Sequence, residues 1–463
     1  MESFKPHYGG LLKELQAVHA SGRTRSIVWR RRQLCALRRF LVERETDIFA
    51  ALEADVGKPR HEAWFTEVSY LRHEISYALK NLGRWMRSRH VWTPLVYQPA
   101  SSSVIPEPCG VVLILSAWNY PLQLALAPVI AALAAGNCVV LKPSEQAPVT
   151  SALVADVLHS YLDRDAARVV EGGEGVAASL VGLPFDHIFF TGSRDVGRKV
   201  LQAAAGNLVP VTLELGGKNP CIVDRGVDLG VAARRIVWAK CINAGQTCIA
   251  PDYVLVHKDV EASFLDELKE AMLGMYGPDA SMSPSYGRLS PHNAERISSL
   301  MQGCRIVAGG RVSVRDGYVE PTVLSGVSVD SPVMREEIFG PLLPVIPFSS
   351  QQEAVSIASV DPAPLALYLF TGSRQLEKYY MEHIRSGGVG INDLLFQAAI
   401  PSLPFGGIGY SGMGRYHGKA GFDLFSHQRT VHKKGLFPEN RLRYPPGVTA
   451  RFRLLKWLFS LWK

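Results

Sequence analysis

Residues 107–142 read EPCGVVLILSAWNYPLQLALAPVIAALAAGNCVVLK, and between the two ends of this stretch no residue is charged. An uncharged run of this length could span a bilayer, but prolines and side-chain amides interrupt it. The pattern instead predicts a buried strand at 111–115, a helix over 121–135 that begins with proline and stops at a glycine, and a second buried strand at 138–141. A β-α-β unit covered on both faces is therefore favoured over a membrane span.

Similar apolar segments alternate with helical patterns on both sides of this unit, which predicts an α/β fold with parallel, doubly wound sheets. The first series has strands at 111–115, 138–141, 168–171, 187–191 and 211–215, and the second at 220–223, 252–257, 343–347, 366–370 and 388–391. We expect a first domain of residues 1–85 and 108–211, a second of 212–411, a β-ribbon of 86–107 and 425–440, and a C-terminal tail of 441–463.

The charge of the chain lies in its tail. Its 463 residues carry a net charge of +8, but from Arg429 to Lys463 there are nine Lys and Arg against one acid, so the remaining chain is neutral. A nucleic-acid-binding protein would more often carry a basic face on its folded body, and we expect no nucleic-acid partner.

The seven cysteines form no CxxC pair, which argues against a disulfide framework and a zinc cluster and favours a reducing compartment. We therefore expect no metal site. The N-terminus, MESFKPHYGG, has no apolar segment typical of a signal peptide. A cytoplasmic location is expected.

Cys248 follows NAGQT (243–247), between a helical pattern and a predicted strand. In such a loop, backbone amides can face the sulfur and favour the reactive thiolate. The alternative is a buried, inert cysteine, which is the more common case for a single thiol.

Two polar residues accompany predicted strands. Glu214 lies in the apolar stretch VTLELGGK (211–218), where burial should raise its pKa towards that of a general base; pairing with Lys218 is the structural alternative. Asn119 follows the strand at 111–115, where its amide could donate to an oxyanion or serve only as a turn residue.

Taken together, the motifs resemble the aldehyde dehydrogenase superfamily, and within it the shorter class 3 type that includes fatty aldehyde dehydrogenases. They occur in family order over 107–425, so that chance similarity is negligible although each alone is weak. The matching stretches are WNYP (118–121), LKPSE (141–145), FFTGSRDVG (189–197), LELGGKNP (213–220), NAGQTC (243–248), EEIFGP (336–341) and SLPFGGIGYSGMGRYHGK (402–419). Beyond them, RYPP (443–446) also resembles class 3.

The resemblance implies a Rossmann-like cofactor domain, an α/β catalytic domain and a small β oligomerisation ribbon, which are the three parts mapped above. It implies that Cys248 is the nucleophile, that Glu214 activates the deacylating water, and that Asn119 and the backbone N–H of Cys248 hold the oxyanion. The implied cofactor contacts are Trp118, Lys142 and Glu145, the turn formed by Gly192, Ser193, Arg194, Asp195, Val196 and Gly197, and, at the nicotinamide end, Glu337 and Phe339.

The expected activity is oxidation of an aldehyde to a carboxylic acid through a cysteine thiohemiacetal and thioester. NAD is favoured over NADP as the cofactor, because a carboxylate at Glu145 would repel a 2′-phosphate. The resemblance favours medium- or long-chain aliphatic or aromatic aldehydes and a homodimer. Ala117 departs from the family, which usually has proline there, so the loop that carries Asn119 is expected to be less rigid.

One further motif matches a dinucleotide-binding pattern but lies in the wrong sequence context. Residues 407–412, GIGYSG, match the dinucleotide fingerprint GxGxxG, but they follow PFG rather than a strand, as that fingerprint requires. They are not interpreted as a cofactor loop.

Within the tail, residues 451–463 read RFRLLKWLFSLWK, a pattern of basic and apolar residues typical of an interfacial helix that is too short to span a bilayer. A membrane surface and docking on the protein itself are equally favoured. Two alternatives to the dehydrogenase remain, a cysteine-dependent esterase or acyl hydrolase and a non-catalytic membrane-peripheral protein. The first leaves LKPSE and EEIFGP unexplained, and the second does not account for the presence of Cys248, Glu214 and Asn119.

Overall fold

The computed structural model describes residues 8–439, 444 and 449–460. The strands are β1 Arg89–Val91, β2 Ala100–Pro108, β3 Val111–Leu115, β4 Cys138–Lys142, β5 Ala167–Val169, β6 His187–Gly192, β7 Val211–Leu215, β8 Pro220–Val223, β9 Tyr253–His257, β10 Arg305–Ala308, β11 Val312–Ser313, β12 Tyr318–Val319, β13 Thr322–Ser325, β14 Leu342–Phe348, β15 Ala366–Phe370, β16 Gly388–Ile391, β17 Gly412–Met413 and β18 Ser426–Lys434.

The α-helices are α1 Tyr8–Ala20, α2 Ile27–Glu43, α3 Glu45–Val56, α4 Arg60–Ala63, α5 Tyr70–Trp85, α6 Pro121–Ala135, α7 Pro148–Tyr161, α8 Glu174–Val181, α9 Arg194–Ala205, α10 Leu229–Cys241, α11 Glu261–Tyr276, α12 Pro291–Leu300, α13 Pro332–Arg335, α14 Gln351–Ala358, α15 Arg374–His383, α16 Phe396–Ala399, α17 Gly418–Leu424 and α18 Thr449–Ser460. A single π-helical turn, Trp64–Ser69, joins α4 to α5.

The uncharged stretch forms the predicted β-α-β unit. Strands β3 and β4 pair in parallel, and all their residues are buried. Helix α6 is buried almost all round, which explains why it is apolar on every face. Gly136 ends the helix in the left-handed conformation, with φ 90°. No helix in the described part of the chain is both long and apolar enough to cross a membrane.

The first sheet has the order β17-β7-β6-β3-β4-β5, and its strands are parallel except for β17. The chain places β4 on one side of β3 and returns to place β6 on the other, so a crevice opens at the carboxyl ends of β3 and β6. In open parallel sheets, ligands bind at such a switch point. Strand β17 was not predicted. It contains the end of the GIGYSG segment and pairs with β7, Gly412 opposite Glu214, so this segment closes a sheet edge.

The second sheet has the order β10-β13-β14-β9-β8-β15-β16 and is parallel except for the β10–β13 pair. Its strands lie within residues 220–391, as the sequence predicts, but β10 and β13 were not predicted. The predicted fold class is thus confirmed, while the domain boundaries stay a prediction.

A third sheet, β1-β2-β18, forms the predicted ribbon. Strand β18 pairs antiparallel with β2 along its whole length, from Ser426 opposite Pro108 to Lys434 opposite Ala100. Of the predicted tail, Tyr444 and helix α18 are described; most of RYPP (443–446) and the last residues 461–463 lie outside the described residues.

Candidate active site

A cavity of about 570 Å³ opens at the carboxyl ends of the first sheet and brings together most of the predicted site residues. Each of the strands β3, β4, β6 and β7 ends at it. The predicted residues that line it are Trp118, Asn119, Lys142, Glu145, Gly192, Ser193, Val196, Glu214, Cys248, Glu337 and Phe339.

Three predicted cofactor residues do not line this cavity. The Arg194 side chain forms an ion pair with Asp361 instead, and Asp195, which is exposed, forms one with Arg198. A Cβ atom on Gly197 would lie 2.7 Å from a methyl carbon of Leu215. The absence of a side chain at position 197 therefore allows α9 to pack closely on the sheet, and its role in cofactor binding stays a prediction.

The nucleophile loop is bent by left-handed backbone conformations. Asn243 and Ala244 have φ of 54° and 51°, and Gly245 follows with φ 79°. Two non-glycine residues in this region store strain, which folded proteins concentrate at functional sites. The backbone around Cys248 is in turn fixed by Asn219, whose amide donates to the carbonyls of Cys248 (2.8 Å) and Ala250 (2.9 Å).

Burial in the cavity raises the pKa of the Cys248 thiol well above its usual value, and the charges of Glu214 and Glu337 raise it further. The backbone N–H groups of Cys248 and Ile249 act in the opposite direction. The expectation that this loop favours the thiolate is therefore wrong for the protein alone. Carboxyl groups that come from distant parts of the sequence face the sulfur, and together with burial they outweigh the amides.

Glu214 is 2% exposed, and its Oε1 atom has no hydrogen-bond partner among the described residues. Burial raises the pKa of its carboxyl well above the ordinary value, as predicted. The structural alternative of a Glu214–Lys218 pair is excluded, because the Lys218 ammonium forms an ion pair with Asp252 and donates to the carbonyl of Val333.

Asn119 is buried between β3 and α6. Its side-chain amide nitrogen donates to the backbone carbonyl of Gln246 at 2.9 Å. Its backbone carbonyl accepts a hydrogen bond from the side-chain amide of Asn243 at 2.8 Å. The loop that carries Asn119 and the loop that carries Cys248 are thus hydrogen-bonded to each other. The sequence contained no sign of this connection, since the two loops are more than a hundred residues apart.

At the other end of the cavity, Lys142 and Glu145 form an ion pair on the rim. Partial burial opposes ionisation of Glu145, but Lys142 and the backbone N–H of Glu145 together outweigh it and lower the pKa of that carboxyl. Where the cavity approaches the second sheet, Trp118 and Phe339 make an edge-to-face contact with centroids 5.8 Å apart. Burial and the charge of Asp252 raise the pKa of Glu337 to about 8.

The sequence profile of the aldehyde dehydrogenase family matches residues 15–431. The chain belongs to this family. It is 44% identical to aldehyde dehydrogenase family 3 member A2 of Rattus norvegicus, over 95% of this chain and 92% of the relative. It is 41% identical to a dimeric, NADP-preferring aldehyde dehydrogenase of Canis lupus familiaris, over 96% of this chain and 98% of that one.

Solved structures of aldehyde dehydrogenases have the same fold. A substrate-bound enzyme of Staphylococcus aureus is 41% identical, with a TM-score of 0.94 over 96% of this chain and 98% of that one. An aldehyde dehydrogenase of Mycobacterium tuberculosis complexed with NAD+ is 30% identical, with a TM-score of 0.79 over 89% of this chain and 86% of that one. The class 3 resemblance is confirmed, and the protein is an NAD(P)-dependent aldehyde dehydrogenase.

Proposed function

We propose that Cys248 is the nucleophile of this aldehyde dehydrogenase, that Asn119 and the backbone N–H of Cys248 hold the oxyanion, and that Glu214 is the general base. The observation that carries this proposal is that these three side chains face one cavity, although they come from three separate segments. Glu214 suits the role of base because its carboxyl is buried and one oxygen is unpaired among the described residues.

The rest of the cavity fits a nicotinamide dinucleotide. Ser193 caps the start of α9 at the cavity, where backbone N–H groups favour a phosphate. A Cβ atom on Gly192 would lie 2.5 Å from the Phe190 ring, so no side chain intrudes at this turn. Lys142 and Glu145 would face the adenosine ribose and Glu337 the nicotinamide ribose. The bound dinucleotide supplies the hydride acceptor.

Once its proton has been lost to solvent, the Cys248 thiolate would form a bond to the aldehyde carbon, and the carbonyl π-electrons move to the oxygen, which becomes an oxyanion. Asn119 and the Cys248 N–H stabilise that charge, a contribution of about 3–4 kcal/mol for such donors. Loss of hydride from the tetrahedral carbon leaves a thioester on Cys248. Glu214 then takes a proton from water as the water attacks the thioester carbon. The C–S bond breaks, the carboxylic acid leaves, and the Cys248 thiolate is regenerated.

Single-turnover NADH formation with an aldehyde tests these roles. Cys248→Ser should lose nearly all dehydrogenase activity, while Cys35→Ser, at an exposed cysteine outside the cavity, should keep it. Glu214→Gln should still form one equivalent of NADH in a burst and then turn over slowly. Near wild-type turnover in either active-site variant would overturn the corresponding role. Hydrolysis of an ester by a protein that forms no NADH from any aldehyde would favour the esterase alternative.

The cofactor is proposed to be NAD, with NADP as the weaker alternative, because the Glu145 carboxylate lines the cavity and, where the adenosine ribose is proposed to bind, it would repel a 2′-phosphate. Its lowered pKa keeps it negative at neutral pH.

An aromatic cluster supports apolar substrates. Trp238 and Phe396 stack with centroids 5.7 Å apart, and Phe65 packs edge-on against both rings. Phe65 and Phe396 are each about 40% exposed (43% and 41%). Such a surface offers stacking and apolar contact to a long alkyl chain or an aromatic ring.

This cluster is connected to the nucleophile loop. The Gln397 amide, next to Phe396, donates to the Tyr368 hydroxyl at 3.0 Å, and that hydroxyl donates to the carbonyl of Ile249 at 2.6 Å. We therefore propose medium- or long-chain aliphatic or aromatic aldehydes as substrates. Comparing kcat/KM along a series of aldehydes of increasing chain length tests this proposal, and a preference for the shortest members would contradict it.

The ribbon and the tail are proposed to mediate assembly. The ribbon is proposed to hold a homodimer, and helix α18 to lie at the surface of a cytoplasmic enzyme that can bind membranes peripherally. Phe459 on α18 contacts Tyr97 beside the ribbon, with centroids 6.3 Å apart, while Phe452 and Trp457 are 56% and 58% exposed. Removing residues 447–463 should abolish binding to liposomes. If binding is unchanged, the helix does not bind the membrane, and docking on this protein itself remains as its role.

A further inference from the structure

A buried ion pair lies beside the active site and belongs to none of the family motifs that the sequence displays. The Lys58 ammonium and the Glu67 carboxylate are in direct contact, and the two residues are 1% and 0% exposed. Lys58 follows α3, and Glu67 lies in the π-helical turn Trp64–Ser69. Isolated π-turns within helices occur frequently at functional sites.

Both members of the pair hold the segment that contains Asn119. The Lys58 ammonium donates to the Asn119 carbonyl at 3.3 Å and lies 4.0 Å from the centre of the Tyr120 ring. The second oxygen of Glu67 accepts the N–H groups of Leu122 and Gln123, at 2.9 and 3.0 Å. These are donors that the first turn of α6 leaves without a partner in the helix.

The same segment continues into the nucleophile loop. The Tyr120 hydroxyl is hydrogen-bonded to the Thr247 hydroxyl at 2.5 Å, one residue before Cys248. The Asn119 side chain reaches the carbonyl of Gln246, as described above. The ion pair therefore fixes the backbone from Asn119 to Gln123, while the Asn119 amide itself is held against the Cys248 loop.

The energetics indicate that this pair does more than stabilise the fold. Removing two charges from water costs several kcal/mol per ion, and apolar residues of similar volume are often equally or more stable in such places. An ion pair with several directed bonds instead fixes geometry. Misplacing a catalytic group by about 1 Å can cost on the order of 10²-fold in rate. The rigidity matters here because Ala117 replaces the proline that the family usually has in this loop.

We propose that Lys58 and Glu67 are positioning residues that hold the Asn119 amide where the oxyanion forms. The proposal rests on the role assigned to Asn119 under the proposed function. Neither side chain lines the cavity, so both act through Asn119 and not through contact with aldehyde or cofactor.

A double-mutant cycle separates positioning from general stability. The rate of NADH formation in a single turnover is measured for the wild type, Lys58→Met, Asn119→Ala and the double variant, with NAD affinity measured by fluorescence. Lys58→Met should slow the step at least tenfold in the wild-type background and less than twofold in the Asn119→Ala background. NAD affinity should stay within twofold. Lys58→Arg, which keeps the charge, should recover part of the rate.

Arg30 offers a matched control. Its buried guanidinium donates to the carbonyl of Ala134 at 3.1 Å, near the opposite end of α6. Arg30→Met should lower the thermal midpoint, and it should change the rate by the same factor in both backgrounds.

The outcomes distinguish the positioning role of Lys58 from the oxyanion role of Asn119. An equal loss of rate from Lys58→Met in both backgrounds would overturn the positioning role. An Asn119→Ala protein with the wild-type rate would instead remove the proposed role of Asn119 itself. If Lys58→Met does not fold, Glu67→Gln carries the same cycle, since its side-chain oxygen can still accept from the start of α6 while the ion pair is lost.

Discussion

The carboxyl group of Glu337 lies directly on Gly216, so close that a Cβ atom at Gly216 would be 1.9 Å from its Oε2 atom. The N–H of the next residue, Gly217, donates to the same carboxyl. The two glycines of LELGG therefore form the surface against which Glu337 packs. This contact joins two motifs that are about 120 residues apart in the sequence.

Gly216→Ala is expected to fold normally and to bind NAD less tightly. The methyl group would meet the far end of a flexible side chain, so Glu337 would turn away at little cost to the fold but leave the nicotinamide side of the cavity. We expect the KM for NAD to rise about tenfold, or about 1.4 kcal/mol. Gly226→Ala is the matched control, because a Cβ atom there meets nothing within 4 Å. An unchanged KM for NAD in Gly216→Ala would show that Glu337 has no part in cofactor binding.

The sequence predicted the parts of this site that are local. Alternating apolar segments and a helix that begins with proline define the unit β3-α6-β4, and the position of Asn119 at the end of β3 follows from it. Residues that act across the fold could not be predicted in this way. Lys58 and Glu67 lie about 50 to 60 residues before Asn119, in a stretch without a recognisable motif. The pKa of Cys248 depends on which carboxyl groups the fold brings to the sulfur.

Glu74→Gln is expected to remove a pH-dependent loss of stability. Glu74 is 5% exposed, accepts the Gly418 N–H at 3.1 Å, and burial raises its pKa to about 7. Between its unfolded pKa and about 7 the folded chain binds more protons than the unfolded chain, so stability is full below this window and falls as pH rises through it.

The glutamine can still accept the Gly418 N–H but does not titrate. Relative to the wild type, the variant should gain about 2 kcal/mol in free energy of unfolding between pH 5.5 and pH 8, as measured by urea titration. Glu295→Gln, at an exposed residue, should show a nearly constant offset from the wild type. A constant offset for Glu74→Gln as well would mean that this carboxyl is ionised in the folded protein.

Glu145→Gln is expected to shift cofactor preference towards NADP. The carboxylate is negative at neutral pH and stands at the rim of the cavity beside Lys142. Its removal ends the repulsion of a 2′-phosphate and frees the ammonium to attract it. We expect the ratio of kcat/KM for NADP to that for NAD to rise at least tenfold, with NAD serving as the internal reference. A ratio that does not change would place the adenosine ribose elsewhere.

The rate of thioester hydrolysis should rise with pH across the neutral range. Glu214 acts as a base only when ionised, and burial raises its pKa well above the ordinary value, so the active fraction increases with pH until that pKa is passed. The measurement is the decay of a preformed acyl-enzyme between pH 6 and 9. The decay is monitored through the appearance of the free Cys248 thiol. In Glu214→Gln the decay should be slow and lose this dependence. If the variant keeps the same rise with pH, a different group activates the water, and the buried Glu214 carboxyl would have to be explained by the fold alone.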